Sequence, residues 1–168
     1  MKKIFIIFSI SLLPLSSINA QDNTVDLKAS YARIGYDTIG SGSGYQFGTA
    51  MYYKLYEEEQ DFIKGISVGA GIDYSTALAK GVWYYNLLAG PEVKLDMPYS
   101  YFKFGFGYNY WKVKGLSSVG AVGVKVSAGA LFDITDTSRL GLDISIAYKV
   151  TKGKVSVFSI GPILSSDI

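Results

Sequence analysis

The sequence predicts an all-β fold in which eight antiparallel strands close into an up-and-down barrel. Apolar and polar residues alternate at period two from Thr24 to Leu164, as they do in strands with one apolar face. Clusters of Gly, Ser, Asp, Pro or Lys interrupt the alternation about every 15 to 20 residues, which is the pattern of long strands joined by short turns. Tyr occurs 14 times and Gly 19 times, and an aromatic residue occupies every second position from Phe102 to Tyr110.

The first 20 residues are predicted to be a secretory signal peptide. Lys2 and Lys3 precede an apolar run from Ile4 to Leu15, which is too short to cross a bilayer as a helix. Cleavage is expected after Ala20, so the exported domain is expected to span residues 21–168. This domain has no Cys, and it must therefore fold without disulfides and without an acylated N-terminal cysteine.

Turn clusters set the boundaries of the predicted strands. These strands are Thr24 to Tyr36, Gly44 to Leu55, Phe62 to Ser75, Val82 to Leu95, Ser100 to Lys112, Val119 to Asp133, Arg139 to Val150, and Lys154 to Leu164. Each is longer than the five or six residues typical of soluble proteins and satisfies the about 9 to 11 residues of a tilted spanning strand. The glycine-serine run from Gly40 to Gly44 is expected to be a flexible hairpin connection.

One face of the predicted strands is apolar throughout. In the sixth strand Val122, Val124 and Val126 alternate with Gly123 and Lys125, and the seventh strand repeats the pattern. The apolar face would overfill an eight-stranded interior, whereas Gly, Ser and isolated charges suit a narrow lumen. We therefore expect the apolar face to meet lipid, which makes the barrel transmembrane. The alternative is a soluble lipocalin-like barrel with an apolar ligand inside.

Isolated charges on the other face are predicted to meet inside the lumen. They are Glu92, Lys94, Lys103, Lys125, Arg139 and Asp143. An unpaired charge there would be costly, so we expect these side chains to pair. We interpret them as a network that fills and rigidifies the lumen, in preference to a conducting or gated pore.

Aromatic residues concentrate near the predicted strand ends, which favours an aromatic belt at each membrane interface. The candidates are Tyr52, Tyr53, Tyr56, Phe62, Trp83, Tyr84, Tyr85, Tyr99, Tyr101, Phe102, Tyr108, Tyr110 and Trp111.

Charge is distributed unequally between the two sets of turns. With the termini in the periplasm, the turns after the odd-numbered strands face outward. With their flanks these turns hold one acidic residue, Asp37, and six basic residues: Lys80, Lys112, Lys114, Lys149, Lys152 and Lys154. The periplasmic turns are mostly acidic. We hypothesise that the basic rim meets the anionic phosphates of lipopolysaccharide, with solvated turn lysines as the simpler alternative.

Composition disfavours several classes of function. The chain has no His and no Cys, so the usual catalytic bases, thiol nucleophiles and zinc ligands are missing, and neither an enzyme nor a cofactor is expected. The 16 basic residues exceed the 14 acidic ones only by Lys2 and Lys3, so the exported part is formally neutral and nucleic acid is not expected as a partner. The acidic run from Glu57 to Glu59 could bind a divalent cation, but a solvated turn is favoured.

The signal peptide, the Gly-aromatic alternation from Phe102 to Tyr108 and the run from Gly90 to Leu95 resemble the small bacterial outer-membrane β-barrel family of OmpA-type transmembrane domains and OmpX-like proteins. The resemblance covers nearly all of the exported part and implies an outer-membrane location. The barrel-assembly machinery is the implied partner during insertion. The chain departs from the family in its last residues, Ser165 to Ile168, which lack the common terminal aromatic, and in outer turns shorter than those of adhesins.

Three functions follow, in order of preference. The first is a structural or interaction protein of the envelope, expected to be monomeric and in contact with lipid and lipopolysaccharide. The second is a narrow porin-like channel for small solutes. The third is the soluble carrier of an apolar ligand.

Overall fold

The computed structural model describes residues 23–36, 40–57, 62–115, 118–149 and 155–168. The predicted signal peptide lies outside these residues. The strands are β1 (Asn23–Tyr36), β2 (Gly40–Glu57), β3 (Gly65–Ala79), β4 (Val82–Met97), β5 (Ser100–Val113), β6 (Val119–Thr135), β7 (Ser138–Lys149) and β8 (Val155–Asp167). Within the described ranges, no helix is long and apolar enough to cross a membrane.

The strands form one closed antiparallel barrel in sequence order, which confirms the predicted fold class. Each strand pairs with the next, and β1 closes the ring by pairing with β8 from Thr24↔Asp167 to Tyr36↔Val155. Closure leaves no sheet edge without a partner, as a lipid environment requires. We call the end that carries Asn23 and Asp167 the termini end, and the end that carries the β1–β2, β3–β4, β5–β6 and β7–β8 turns the hairpin end.

Strands β2 and β3 extend four residues further into the hairpin end than predicted. The glycine-serine run is not a flexible connection, because β2 begins at Gly40, which pairs with Tyr36. Gly44 lies so close to β3 that a Cβ atom would sit 1.9 Å from the carbonyl oxygen of Thr76. Position 44 therefore requires a glycine, because β2 and β3 approach closely there. Likewise β3 continues to Ala79, and Lys80 and Gly81 form the turn with φ angles of 50° and 77°, which suits a two-residue type I′ hairpin.

At the termini end, one predicted boundary was too early. Phe62 and Ile63 form a bend, and β3 begins at Gly65.

The two faces of the barrel differ in polarity as predicted. Phe104 and Ile144 are 46% and 42% exposed on the outer surface, whereas Lys103, Lys125 and Asp143 are at most 4% exposed inside. A soluble carrier needs the opposite arrangement, with its apolar face inside and its polar face in water. The structure therefore contradicts the alternative of a soluble lipocalin-like carrier, and the apolar outer surface suits hydrocarbon.

The lumen is graded along its axis. Charged side chains occupy its middle and the half near the termini end. Uncharged polar side chains lie next to them on the side of the hairpin end. An apolar cluster fills the half near the hairpin end, and it consists of Ala32, Ile34, Ala77, Leu88, Trp111, Ala147, Val155 and Val157. A smaller cluster of Tyr101, Leu131 and Ile163 lies toward the termini end.

The close approach at Gly44 generates a test of the fold. Gly44→Val places a branched side chain against the β3 backbone and should destabilise the barrel by roughly 1 to 3 kcal/mol or more. The measurement is the fraction of protein that migrates as the compact, heat-modifiable form in unheated electrophoresis. Thr49→Val, at an exposed position of the same strand, should leave that fraction unchanged. Equal folding of both variants would contradict the close packing of β2 on β3.

Candidate functional site

Eight charged side chains converge in the lumen, and we refer to them as the charge cluster. They are Asp26, Lys28, Asp73, Glu92, Lys94, Lys103, Lys125 and Asp143. Each side chain is at most 7% exposed. Four lysines face four carboxylates, so the cluster is formally neutral.

The part of the charge cluster nearer the hairpin end, which we call the upper part, is a chain of alternating charges. The part nearer the termini end is the lower part. Lys28 Nζ lies 3.4 Å from Asp143 Oδ1 and 3.3 Å from Asp73 Oδ1. Asp73 Oδ2 in turn lies 2.7 Å from Lys125 Nζ, and Lys125 also pairs with Glu92. The five side chains come from β1, β3, β4, β6 and β7, and none of these ion pairs joins adjacent strands. The ion pairs therefore connect separate parts of the barrel wall across the lumen.

Asp26 is the centre of the lower part. Its carboxylate accepts a hydrogen bond from Lys103 Nζ at 2.5 Å and lies 3.4 Å from Lys94 Nζ. Lys94 also lies 3.5 Å from Asp96, a residue near the termini end, and 3.5 Å from Ser165 Oγ.

Two buried tyrosines connect the upper and lower parts. The Tyr52 hydroxyl donates to Glu92 and the Tyr101 hydroxyl donates to Asp143, each at 2.5 Å. Their rings face the lower ammonium groups, with Lys94 and Lys103 Nζ between 4.5 and 5.6 Å from the ring centroids. Such cation–π contacts gain strength when the cation is desolvated. The tyrosines therefore join two ionic groups into one network.

Five of the six predicted lumen charges belong to the charge cluster, and the sixth does not. Arg139 is half-buried at the mouth of the termini end, since β7 begins one residue earlier, at Ser138. Its register partners are Asp133 and Ser165. Within the described ranges, Arg139 makes no ion pair with the charge cluster.

Sequence reasoning missed five members of the network: Asp26, Lys28, Asp73, Tyr52 and Tyr101. The sequence does contain a signal for the charged residues. Asp26 and Lys28 alternate with the apolar Val25 and Leu27, as the predicted lumen charges alternate with apolar residues in their strands. The tyrosines carried no such signal, because an aromatic residue fits either face of a strand.

The aromatic belts were predicted only in part. Tyr52, Tyr84, Tyr101 and Trp111 point into the lumen and are at most 3% exposed, so these four do not belong to a belt. The other candidates include outward side chains at both ends of the barrel. Tyr53, Tyr56, Phe62, Tyr99 and Phe102 lie near the termini end, and Trp83 and Tyr108 lie near the hairpin end.

Three of the predicted rim lysines are exposed at the hairpin end: Lys80, Lys112 and Lys114. Lys149 is half-buried, and Lys152 and Lys154 lie outside the described residues. Sequence reasoning did not include Arg33, which is exposed on the outer surface near the same end and donates to Ser41 Oγ at 3.0 Å.

The described part of the chain contains no cluster of three acidic side chains arranged to hold a metal ion. Of the acidic run proposed as a cation site, Glu57 is exposed and pairs with Lys54 at 2.9 Å. Glu58 and Glu59 lie outside the described residues.

The charge cluster predicts a large cost for removing one ammonium group. Lys125→Met leaves Glu92 without its cation and Asp73 with one fewer, which should destabilise the barrel by about 3 to 5 kcal/mol. Lys112→Met removes an exposed charge and should change stability by less than about 0.5 kcal/mol. Urea unfolding of both variants in lipid vesicles measures the difference. Similar stability of the two variants would show that the ion pairs do not hold the barrel.

No protein-family model and no curated protein matches this sequence. Solved structures do match it. Neisserial surface protein A superimposes with a TM-score of 0.61 at 17% identity, covering 87% of this chain and 97% of that protein. Ail, the attachment invasion locus protein of Yersinia pestis, superimposes with a TM-score of 0.53 at 16% identity, covering 88% of this chain and 99% of that protein. This chain therefore has the fold of the small eight-stranded barrels of the bacterial outer membrane.

Proposed function

We propose that this chain is a structural or interaction protein of the bacterial outer membrane, with a closed lumen that neither conducts solutes nor catalyses a reaction. The neutral, fully buried charge cluster is the observation that carries the proposal. It occupies the space that a channel would need to leave open.

The outer surface supports a membrane location. Outward positions in the middle of the strands are apolar, including Phe104, Phe106 and Leu142. Among the residues that the structure describes, charged side chains reach the outer surface only toward the ends, where Arg33 and Lys112 lie on strands at opposite sides of the ring. In a closed barrel the backbone N–H and C=O groups of the strands hydrogen-bond to one another. The apolar side chains of this outer surface can then contact the hydrocarbon of the bilayer.

The packing of the lumen supports a closed barrel. A cavity of about 10 Å³ lies within the charge cluster, which is too small for a hydrated ion. The apolar cluster around Trp111 fills the half toward the hairpin end. An ion on this route would have to break ion pairs and then cross a dry apolar segment, and neither step is favourable.

The same features disfavour catalysis. The chain has no His and no Cys, and the lumen carboxylates are held by lysines and tyrosines away from solvent. A substrate could not reach them without opening the barrel.

Planar-bilayer recording separates the closed barrel from the narrow channel. The reconstituted protein should show no sustained conductance, since an ion would have to displace the Lys125 pairs. Lys125→Gln serves as the companion variant. Steady single-channel currents in the unaltered protein, with an ion selectivity that Lys125→Gln changes, would establish the channel instead.

We further propose that the hairpin end faces outward and that its basic rim contacts lipopolysaccharide phosphates. Lys80, Lys112, Lys114 and Arg33 are exposed there, and the one acidic residue in the sequence of these turns, Asp37, lies outside the described residues. Basic residues near an anionic lipid surface contribute about 1 kcal/mol each. We expect the barrel to be monomeric and to depend on the barrel-assembly machinery for insertion.

Paired charge reversals test the rim. Lys112→Glu with Lys114→Glu should weaken association with lipopolysaccharide by at least about 2 kcal/mol, because two attractive charges of about 1 kcal/mol each are lost and two repulsive ones are added. Lys54→Glu with Lys64→Glu makes the same charge change near the termini end and should have little effect. The measurement is lipopolysaccharide retained by the purified protein. If the second pair weakened retention and the first did not, the proposed orientation would be reversed.

A further inference from the structure

Two strands carry a proline in the middle of the barrel wall, and each proline follows a glycine. The dipeptides are Gly90-Pro91 in β4 and Gly161-Pro162 in β8. Both proline side chains are exposed on the outer surface. A proline has no backbone N–H, and for that reason it is normally confined to sheet edges and bulges. A closed barrel has no edge, so each of these prolines removes one hydrogen bond from the wall.

Each proline interrupts the pairing with one neighbouring strand. The β4–β5 ladder skips Gly90 and Pro91, and the β1–β8 ladder skips Gly161 and Pro162. The register is the same before and after each gap, so neither gap is a bulge. The β3–β4 and β7–β8 ladders pass the same prolines without a gap. We call the two interruptions the β4–β5 seam and the β1–β8 seam.

The seams lie on opposite sides of the ring, four strands apart in either direction. Among the ladders of the described strands, no other skips two residue pairs at an unchanged register. Continuation of the register places Pro91 opposite Phe106 and Pro162 opposite Ala29. The carbonyl groups of Phe106 and Ala29 therefore lose a ladder donor, and hydrocarbon offers no water to replace it.

The backbones still touch at both seams. A Cβ atom on Gly90 would lie 2.1 Å from the carbonyl oxygen of Phe106, and a Cβ atom on Gly161 would lie 2.4 Å from that of Ala29. The seams are thus closed lines of contact with a missing hydrogen bond. Because fewer hydrogen bonds must break, a seam can part at a lower cost than a continuous ladder.

The charge cluster joins the two halves of the barrel that the seams separate. The half from β1 to β4 contributes three carboxylates and two lysines to the cluster, and the half from β5 to β8 contributes two lysines and one carboxylate. The halves therefore have opposite formal charge. Four ion pairs connect one half to the other: Lys28–Asp143, Asp26–Lys103, Asp73–Lys125 and Glu92–Lys125.

Two of these ion pairs span a seam. Glu92 on β4 pairs with Lys125 on β6, on the other side of the β4–β5 seam. Lys28 on β1 lies 3.4 Å from Asp143 on β7, on the other side of the β1–β8 seam. Glu92 and Lys28 are each adjacent in sequence to a residue of the seam, so both ion pairs lie at the height of the gaps.

We propose that the middle of the barrel wall opens first at these two seams, and that the Glu92–Lys125 and Lys28–Asp143 ion pairs are clasps that hold them shut. When a seam parts, the charge cluster becomes accessible from the side of the barrel rather than from its mouths. This arrangement does not depend on which end of the barrel faces outward.

Hydrogen exchange measured by NMR on the barrel in detergent micelles tests the seams. Ala70 and Leu142 are the matched controls, because they lie opposite the same prolines in uninterrupted ladders. The amides of Phe106 and Ala29 should exchange about fivefold faster than these controls, the factor that one typical hydrogen bond contributes. Pro91→Val restores an N–H and should slow exchange at Phe106 but not at Ala29. Equal exchange of all four amides in the unaltered protein would overturn the proposal.

Neutral substitutions test the clasps. Glu92→Gln should speed exchange at Phe106 by at least about tenfold more than at Ala29, because it removes the charge that pairs across that seam. Lys28→Met should have the opposite preference, and Lys112→Gln, at an exposed position, should change neither. Acceleration of the same size at both seams would refute the clasps. If a charge variant does not fold, the two proline seams are still tested by the unaltered protein and by Pro91→Val.

Discussion

A charge inside a narrow barrel has too little water to solvate it, so every ion in this lumen depends on an opposite charge across the axis. Four lysines and four carboxylates meet this condition among residues from β1, β3, β4, β5, β6 and β7. The cost of leaving any member unpaired makes the set act as a unit. It joins strands that are not neighbours in the sheet, and it thereby adds cross-lumen contacts to the hydrogen bonds of the ring.

Tyr52 and Tyr101 give this network its continuity. Each uses its hydroxyl for a carboxylate of the upper part and its ring for the ammonium groups of the lower part. A phenol can do both because its edge is polar and its face is electron-rich. Phenylalanine would keep the ring contact and lose the hydrogen bond, so the residue type has a physical reason at both positions.

The grading of the lumen explains how one barrel can be polar inside and still closed. Charges, neutral polar groups and apolar side chains follow one another along the axis. Solvation of an ion is therefore lost step by step toward the hairpin end. The outer surface has the complementary order, with apolar side chains at mid-height and basic side chains at one rim. The proposed role as a closed envelope protein rests on these two distributions together.

The sequence alone determined the fold class and the polarity of the two faces, because side chains of a strand alternate between faces whatever the strand pairs with. For that reason Glu92, Lys94, Lys103, Lys125 and Asp143 could be placed inside. Only the tertiary structure decided which charges meet, since partners across the lumen depend on the stagger of the strands. It also moved Arg139 to the barrel mouth, turned Tyr52, Tyr84, Tyr101 and Trp111 inward, and placed Gly40 to Gly44 within β2. An aromatic or glycine residue is compatible with several environments, and the packing of neighbouring strands selects one of them.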